Sequence, residues 1–158
     1  MRTVRVGGWR SSSVPATHAD TPVLFAFQAD PVASEMAAFP SRDRAAFEAH
    51  QRRILADPTV LLYAIVVGGK VVGSVVSWDA EGEREVGYWL GRDFWGSGFA
   101  TAAVRAFLEI DGRRPLFAYV AVHNEASQRV LRKAGFVEVR RRHADDVHQV
   151  VFRLDIPT

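Results

Sequence analysis

The spacing of apolar residues in the first third of the chain predicts one strand and two helices. Thr3 to Val6 alternates polar and apolar residues as a half-buried strand does, and Gly7-Gly8 then breaks the pattern. From Ala19 to Gln28, and again from Arg42 to Leu55, apolar residues recur at the spacing of a helix. Asp43 stands where the second of these helices can be capped.

The middle of the chain predicts three neighbouring antiparallel strands. Val60 to Val67 and Lys70 to Trp78 are rich in valine and isoleucine, and Gly68-Gly69 between them is a strong signal for a two-residue hairpin turn. A third run, Arg84 to Leu90, continues the meander. The three runs together indicate a sheet that is mostly antiparallel.

The pattern then changes to alternating helices and strands. Gly98 to Ile110 carries apolar residues at helical spacing, and Asp111-Gly112 follows, where a glycine in the left-handed region can end the helix. Leu116 to Val122 is predicted to be the next strand. Because strand, helix and strand follow one another, the unit from Arg84 to Val122 is predicted to be the one parallel, right-handed crossover.

The last part of the chain predicts a short helix and a closing hairpin. Ala126 to Ala134 is the helix, with Asn124 in the capping position and Gly135 at its end. Phe136 to Arg142 and Val147 to Leu154 are predicted to be a pair of strands. We find no internal repeat, linker or low-complexity segment.

These elements predict one α/β (α+β) domain that covers residues 1–158. Their order is β-α-α-β-β-β-α-β-α-β-β, which corresponds to a mixed, mostly antiparallel sheet of six to seven strands flanked by about four helices. The length fits one hydrophobic core, and 48% hydrophobic with 24% charged residues is the balance of a globular protein.

Composition and charge exclude several classes of function. The chain has no cysteine, so disulfides, thiolate metal sites and a cysteine nucleophile are excluded. The formal net charge is only +2 and the charged residues are spread along the chain, so nucleic-acid binding is not expected. No stretch approaches the ~20 apolar residues of a membrane span and no signal-peptide pattern is present, so no membrane partner and a cytoplasmic location are expected.

The turn Trp95-Gly96-Ser97-Gly98, directly before a helix, indicates an anion site. Glycines let a backbone approach a ligand, and the first N–H groups of a helix lack partners and lie at the positive end of its dipole, where a phosphate is stabilised. The alternative explanation is a turn without a ligand, since glycines are also common wherever a turn needs a positive φ. The ATPase loop is excluded because no lysine lies between Lys70 and Lys133, and the dinucleotide fingerprint is weak because the following strand ends in Ala121-Val122-His123 without an acidic residue.

Four motifs together resemble the GNAT acetyltransferases, in particular the branch that contains the ribosomal-protein N-terminal acetyltransferases. They are Glu85-Val86-Gly87-Tyr88-Trp89-Leu90, Gly96-x-Gly98-x-Ala100, Asn124-x-x-Ser127 and Lys133-Ala134-Gly135-Phe136. The resemblance covers essentially the whole chain and is most specific from Glu85 to Phe136. Trp95 stands where the superfamily often has arginine or glutamine, and tryptophan is usual there in this branch.

The resemblance implies a GNAT-like fold and acetyl-coenzyme A as the acyl donor. It implies that backbone amides from Gly96 to Thr101 bind the pyrophosphate, and that the strand ending at Leu90 diverges from Leu116 to Val122 to leave a slot for pantetheine. Unpaired amides near Tyr88 to Leu90 could polarise the thioester carbonyl. The residues assigned to the cofactor are Tyr88, Trp89, Leu90, Trp95, Gly96, Ser97, Gly98, Phe99, Ala100, Thr101, Asn124 and Ser127.

Three candidates exist for the base that an amine acceptor needs, since only a neutral amine attacks a thioester. Glu85 matches the family's strand glutamate and comes first, Glu83 on the same face is the fallback, and a solvated strand carboxylate is the plain alternative. His123 is the third candidate, because the pKa of histidine suits proton transfer. Ser127 is the candidate hydrogen-bond donor to the leaving thiolate, since Leu131 stands where many family members have a tyrosine. A first-turn helix role suits Ser127 equally well.

The predicted function is transfer of an acetyl group to a primary amine, on a protein N-terminus or a small molecule, by direct attack in a ternary complex. The region Pro31 to Arg44 is predicted to border the acceptor entrance, because loops on a rigid scaffold set specificity. The alternative is a catalytically silent acetyl-CoA-binding regulatory module. A homodimer is a further expectation. No metal site is expected, because the candidate ligands of His143 to His148 flank a tight turn and alternate across strand faces.

Overall fold

An eight-stranded sheet organises the chain in the computed structural model, which describes residues 2–6 and 9–156, with side chains from Arg10 to Ile156. The strands are β1 (Arg2–Val6), β2 (Trp9–Pro15), β3 (Leu61–Val67), β4 (Lys70–Ala80), β5 (Glu83–Leu90), β6 (Leu116–Ala121), β7 (Val137–Ala144) and β8 (Val147–Leu154). The helices are α1 (Thr21–Ala29), α2 (Pro31–Ala37), α3 (Arg44–Ala56), α4 (Phe99–Ile110) and α5 (Glu125–Lys133).

The sheet opens between its two parallel strands. Its order is β1-β2-β3-β4-β5-β6-β8-β7, and β5 with β6 is the parallel pair, as the sequence predicts. The residue pairs between these strands in the described ranges are Arg84 with Leu116 and Glu85 with Phe117. Further along, β5 stays paired with β4 as far as Leu90, and β6 stays paired with β8 as far as Ala121. The two strands therefore part and leave a V-shaped opening at their carboxyl ends.

The α/β class and the predicted element order are confirmed, with one additional strand. β2 was not predicted, because Ser11-Ser12-Ser13 shows none of the hydrophobic alternation of a strand. Ser11 and Ser13 are nevertheless buried, since β2 lies between β1 and β3. The described part of the chain thus has eight strands where six to seven were predicted. The break predicted at Gly7-Gly8 lies outside the described residues.

α2 is the additional helix, which brings the described helices to five where about four were predicted. The side chain of Asp30 accepts a hydrogen bond from the Val32 N–H at 3.1 Å and caps this helix. Pro31 occupies its first position, where the fixed φ of proline suits a helix and the missing N–H costs nothing. The helix ends at Ala38, which adopts a left-handed conformation with φ of 50°.

One side of the sheet is covered by α4, and the main hydrophobic core lies between them. Phe107 of α4 is fully buried with Val72 of β4 and Phe152 of β8 in the same cluster. This packing fixes the start of α4 relative to the end of β5, which is where the predicted ligand site lies. In residues 2–6 and 9–156 no helix is both long and apolar enough to cross a bilayer.

A buried ion pair joins the end of α4 to the start of β5 within the parallel crossover. Asp111, directly after α4, is 2% exposed, and its Oδ2 accepts hydrogen bonds from Arg84 Nε at 2.9 Å and Ser77 Oγ at 2.6 Å. Arg84 also donates to the Thr59 carbonyl at 2.7 Å. The left-handed cap predicted at Gly112 is wrong, since the φ of that glycine is not positive. Asp111 ends the helix by binding the adjacent strands instead.

Asp111→Asn is expected to lower the free energy of unfolding by about 3 kcal/mol, because it removes the buried charge partner of Arg84 and leaves only the exposed Asp79, whose Oδ1 lies 3.4 Å from Arg84 Nη1. Burial raises the pKa of Asp111, but hydrogen bonds from Ser77 and Arg84 outweigh it and hold the pKa below its ordinary value. The ion pair therefore stabilises the fold above the ordinary aspartate pKa, and this stability is lost as the pH falls through the lower, folded-state pKa. Urea unfolding across this acid range measures both effects.

Asp155→Asn is the matched control, because Asp155 pairs with Arg153 on the surface and is 56% exposed. Exposed ion pairs contribute little, so this variant is expected to unfold like the wild type. Equal unfolding of the Asp111 and Asp155 variants would show that the buried network contributes nothing.

Candidate active site

A cleft of about 190 Å³ opens at the carboxyl end of β5, beside the V-shaped opening. The end of β5, the glycine turn with the start of α4, and α5 contribute eight residues that the sequence assigns to a cofactor. They are Tyr88, Trp89, Leu90, Trp95, Gly96, Ala100, Asn124 and Ser127. The structure thus gathers residues 39 positions apart in sequence around one cleft. Ser97, Gly98, Phe99 and Thr101 belong to the same turn and helix start and do not line it.

The glycine turn has the geometry that an anion site needs. Gly96 and Gly98 adopt φ values of 78° and 81°, which side chains disfavour. Gly98 caps α4, and the first backbone hydrogen bond of the helix runs from the Ala102 N–H to its carbonyl at 3.2 Å. The N–H groups of residues 99–101 therefore have no partner within the helix. A Cβ at Gly96 would meet no atom within 4 Å, so open space faces this backbone.

Two tryptophans fix the walls of the cleft through their indole N–H groups. Trp95 donates to the Leu90 carbonyl at 2.9 Å and thereby ties the glycine turn to the end of β5. Trp89 donates to the Phe27 carbonyl of α1 at 3.1 Å, and its ring lies 6.3 Å from that of Phe39. The apolar ends of both side chains therefore have fixed positions at the cleft.

Tyr88 and Ser127 form a hydrogen bond across the cleft. The Tyr88 hydroxyl lies 3.0 Å from Ser127 Oγ, and Ser127 is 9% exposed. Burial raises the pKa of Tyr88, so its hydroxyl stays protonated. Asn124 accepts from the Ser127 N–H at 3.2 Å and is the predicted cap of α5. Leu131 is 2% exposed and packs in the core.

Glu85 lies at the vertex of the V, where the pairing of β5 with β6 ends. Successive side chains of a strand point to opposite faces, so Glu85 and Tyr88 lie on opposite faces of the sheet. Burial and the neighbouring carboxylate of Glu83 raise the pKa of Glu85, while Arg142 and a hydrogen bond from the Trp78 side chain oppose this rise. Glu85 does not line the cleft.

Glu83, the fallback base, already has partners. Its carboxylate accepts a short hydrogen bond from the Tyr119 hydroxyl and lies 3.6 Å from Arg140 Nη2. Arg140 also donates to the Tyr119 hydroxyl oxygen at 3.1 Å. Tyr119 and Arg140 thus already occupy the Glu83 carboxylate, so the local geometry favours Glu85 over Glu83.

His123, the third candidate, is exposed, and its Nε2 lies 3.1 Å from the Glu35 carbonyl. Because a carbonyl can only accept, this nitrogen carries the hydrogen. His123 thus connects the end of β6 to α2 and does not line the cleft.

Sequence reasoning missed the contribution of α2 to the cleft wall. Ala33, Met36 and Ala37 of this helix line it. The signal that could have found this helix is Asp30-Pro31, a capping residue followed by a proline at the first helical position. The prediction that this region borders an acceptor entrance stays a prediction.

Among the described residues, no group of three or more histidine, aspartate or glutamate side chains is arranged to hold a metal ion. His143 and His148 face each other across the last hairpin, with rings stacked 4.4 Å apart. Two histidines alone make an incomplete ligand set for most protein metal sites.

Comparisons with known proteins agree with this geometry. The family model described as "Acetyltransferase (GNAT) domain" matches residues 14–137. Comparison with curated proteins finds no match. Among solved structures, the aminoglycoside acetyltransferase AAC(6')-Ib in complex with coenzyme A is similar with a TM-score of 0.79 and 20% identity, over 92% of this chain and 94% of that chain.

Two further solved structures have the same fold. The RimL ribosomal L7/L12 alpha-N-protein acetyltransferase in complex with coenzyme A has a TM-score of 0.77 and 16% identity, over 98% of both chains. A GNAT-family acetyltransferase from Bacillus anthracis has a TM-score of 0.77 and 12% identity, also over 98% of both chains. At these identities the likeness establishes the fold.

Proposed function

Because the chain belongs to the GNAT acetyltransferase family, we propose that it transfers an acetyl group from acetyl-coenzyme A to a primary amine by direct attack in a ternary complex. The observation that carries the proposal is the cleft in which the glycine turn, the end of β5 and Ser127 meet beside the opening between β5 and β6. In this arrangement acetyl-coenzyme A would bind in the cleft, and the amine would approach from the opposite face of the sheet.

The glycine turn is suited to hold the pyrophosphate of the donor. The free N–H groups at the start of α4 and the positive end of the helix dipole stabilise an anion, and the open space over Gly96 leaves room for it. When bound, acetyl-coenzyme A supplies the acetyl group as a thioester. Tyr88, Trp89 and Leu90 would hold the pantetheine side of the cleft.

Glu85 is the proposed base. Its raised pKa brings it closer to that of the protonated amine, which makes proton transfer more favourable than for an ordinary glutamate. The amine nitrogen bonds to the acetyl carbon, the carbon–sulfur bond breaks with its electron pair on sulfur, and one amine proton passes to Glu85 through a water molecule. Ser127 donates a hydrogen bond to the departing sulfur from the cleft side.

The acceptor is proposed to be a protein N-terminus or a small-molecule amine. The two structural relatives named above are described as acting on aminoglycosides and on a ribosomal protein, which spans this range. α2 and the segment after it are proposed to border the entrance, because Phe39 is 41% exposed beside Trp89, which strand alternation places on the same face as Glu85. Assembly as a homodimer is part of the same proposal.

Two measurements test this function. Calorimetry is expected to detect binding of coenzyme A, and release of free thiol from acetyl-coenzyme A is expected with at least one amine from a panel of peptides with free N-termini, polyamines and aminoglycosides. Binding without turnover of any acceptor would favour the catalytically silent module. Absence of binding would contradict both functions.

A further inference from the structure

The proposed mechanism leaves one partly buried group unused, the hydroxyl of Tyr88. It comes from β5, whereas its partner Ser127 comes from α5, and the 3.0 Å hydrogen bond joins these two elements at the cleft that both residues line. The aromatic ring packs against the hydrophobic core. A ring could fill this space without its oxygen, so packing alone does not account for a tyrosine rather than a phenylalanine.

The direction of this hydrogen bond follows from the surroundings of the two oxygens. Within the described residues, Ser127 Oγ is the hydrogen-bond partner of the Tyr88 hydroxyl. The Tyr88 hydroxyl is partly buried, and its hydrogen is directed at Ser127 Oγ, so Tyr88 donates and Ser127 accepts. The hydrogen of Ser127 is then free to point toward a ligand in the cleft that Ser127 lines.

We propose that Tyr88 is a positioning residue that orients the Ser127 hydroxyl toward the departing sulfur and strengthens it as a hydrogen-bond donor. The inference rests on the proposed function, since it assumes that Ser127 faces the thioester. Hydrogen bonds in a chain polarise one another, so a hydroxyl that accepts from Tyr88 donates more strongly to the sulfur. Tyr88 keeps its own proton throughout. The thiolate leaves with its electron pair and is protonated by solvent after release.

The experiment compares Tyr88→Phe, Ser127→Ala and the double variant. The thiol pKa of bound coenzyme A is measured from the ultraviolet absorbance of the thiolate, with the complex of desulfo-coenzyme A subtracted to remove the titration of tyrosines. Hydrogen bonds to a thiolate lower the pKa of its thiol, so each single variant is expected to raise this pKa. A purely structural role for Tyr88 would not move it.

Activity gives the second readout. The single-turnover rate of Tyr88→Phe is expected to fall about three- to tenfold, which corresponds to one net hydrogen bond, while the affinity for coenzyme A is retained. In the Ser127→Ala background, Tyr88→Phe is expected to change neither the rate nor the thiol pKa further. Tyr63→Phe is the matched control, because Tyr63 packs its ring 5.9 Å from Phe107 and lies outside the cleft.

The outcomes separate this inference from the function on which it rests. A wild-type rate and thiol pKa in Tyr88→Phe, or an equal effect of that change with and without Ser127, would overturn the role of Tyr88 while Ser127 remains the donor. If Ser127→Ala had the wild-type rate and thiol pKa, the roles of both Ser127 and Tyr88 would be overturned, while acetyl transfer itself would remain. A wild-type protein without turnover would overturn the function itself and this inference with it.

Discussion

Replacement of Glu85 by glutamine is expected to lower turnover by about 100-fold or more, with nearly unchanged affinity for coenzyme A. Glutamine keeps the size of the side chain but cannot accept the proton of the amine. Burial and Glu83 raise the pKa of Glu85, so the wild-type kcat/KM should rise with pH through a limb above the ordinary glutamate pKa. The variant should lose that limb and keep only the rise from the titration of the amine itself. Steady-state rates across this pH range measure both.

The controls for this prediction are two other glutamates. Glu48→Gln changes an exposed side chain of α3 that pairs with Arg44, and it is expected to turn over like the wild type. Glu83→Gln is expected to have a smaller effect than Glu85→Gln, because Tyr119 and Arg140 already bind the Glu83 carboxylate. If only the Glu83 variant lost this pH-dependent limb, Glu83 rather than Glu85 would be identified as the base.

Gly96→Val is expected to weaken coenzyme A binding by about 100-fold or more, which corresponds to the loss of two hydrogen bonds to a charged group. The valine side chain would occupy the open space over the turn, where the phosphate is proposed to lie. The φ of 78° also disfavours a β-branched residue, so some stability is lost as well. Calorimetry with coenzyme A measures the affinity, and thermal unfolding measures the stability.

Gly69→Val is the control that distinguishes backbone strain from blockage of the proposed phosphate site. Gly69 lies in the hairpin turn between β3 and β4, its φ is 80°, and a Cβ there also meets no atom within 4 Å. The two variants therefore share the backbone strain, but only Gly96 belongs to the cleft. Wild-type affinity in Gly69→Val with weak binding in Gly96→Val is the expected result. Equal affinities in the two variants would contradict a ligand site at the turn.

Local patterns predicted most of the fold, because the elements depend on neighbouring residues. The hairpin at Gly68-Gly69 and the cap of α5 at Asn124 follow from turn and capping chemistry that operates over a few positions. β2 escaped prediction because its three serines are buried by pairing with β1 and β3 rather than by hydrophobicity. α2 was not predicted, because a proline such as Pro31 indicates a break in a helix as readily as the start of one.

The sequence predicted the motifs that form the candidate site, but not the contacts between side chains of different elements within it. The glycine turn and Asn124-x-x-Ser127 are motifs, so their positions were available from the sequence. The contact of Tyr88 with Ser127 and the engagement of Glu83 by Tyr119 join side chains on separate elements. Such contacts depend on how far β5 and β6 diverge and on the placement of α5, which no local pattern encodes.

The short parallel seam between β5 and β6 also has a mechanical consequence. On one side of it β1 to β5 form a continuous ladder, and on the other β6, β8 and β7 form a second one, while two residue pairs next to the buried Arg84–Asp111 contact link the described parts of the two ladders. Each ladder is stiff by itself, because its own backbone hydrogen bonds stay intact. Side chains join the two ladders where backbone pairing does not: Phe107 of α4 packs in one cluster with Val72 of the first ladder and Phe152 of the second, and Glu83 binds Tyr119. The width of the gap is therefore set by this shared core and these polar contacts rather than by backbone hydrogen bonds.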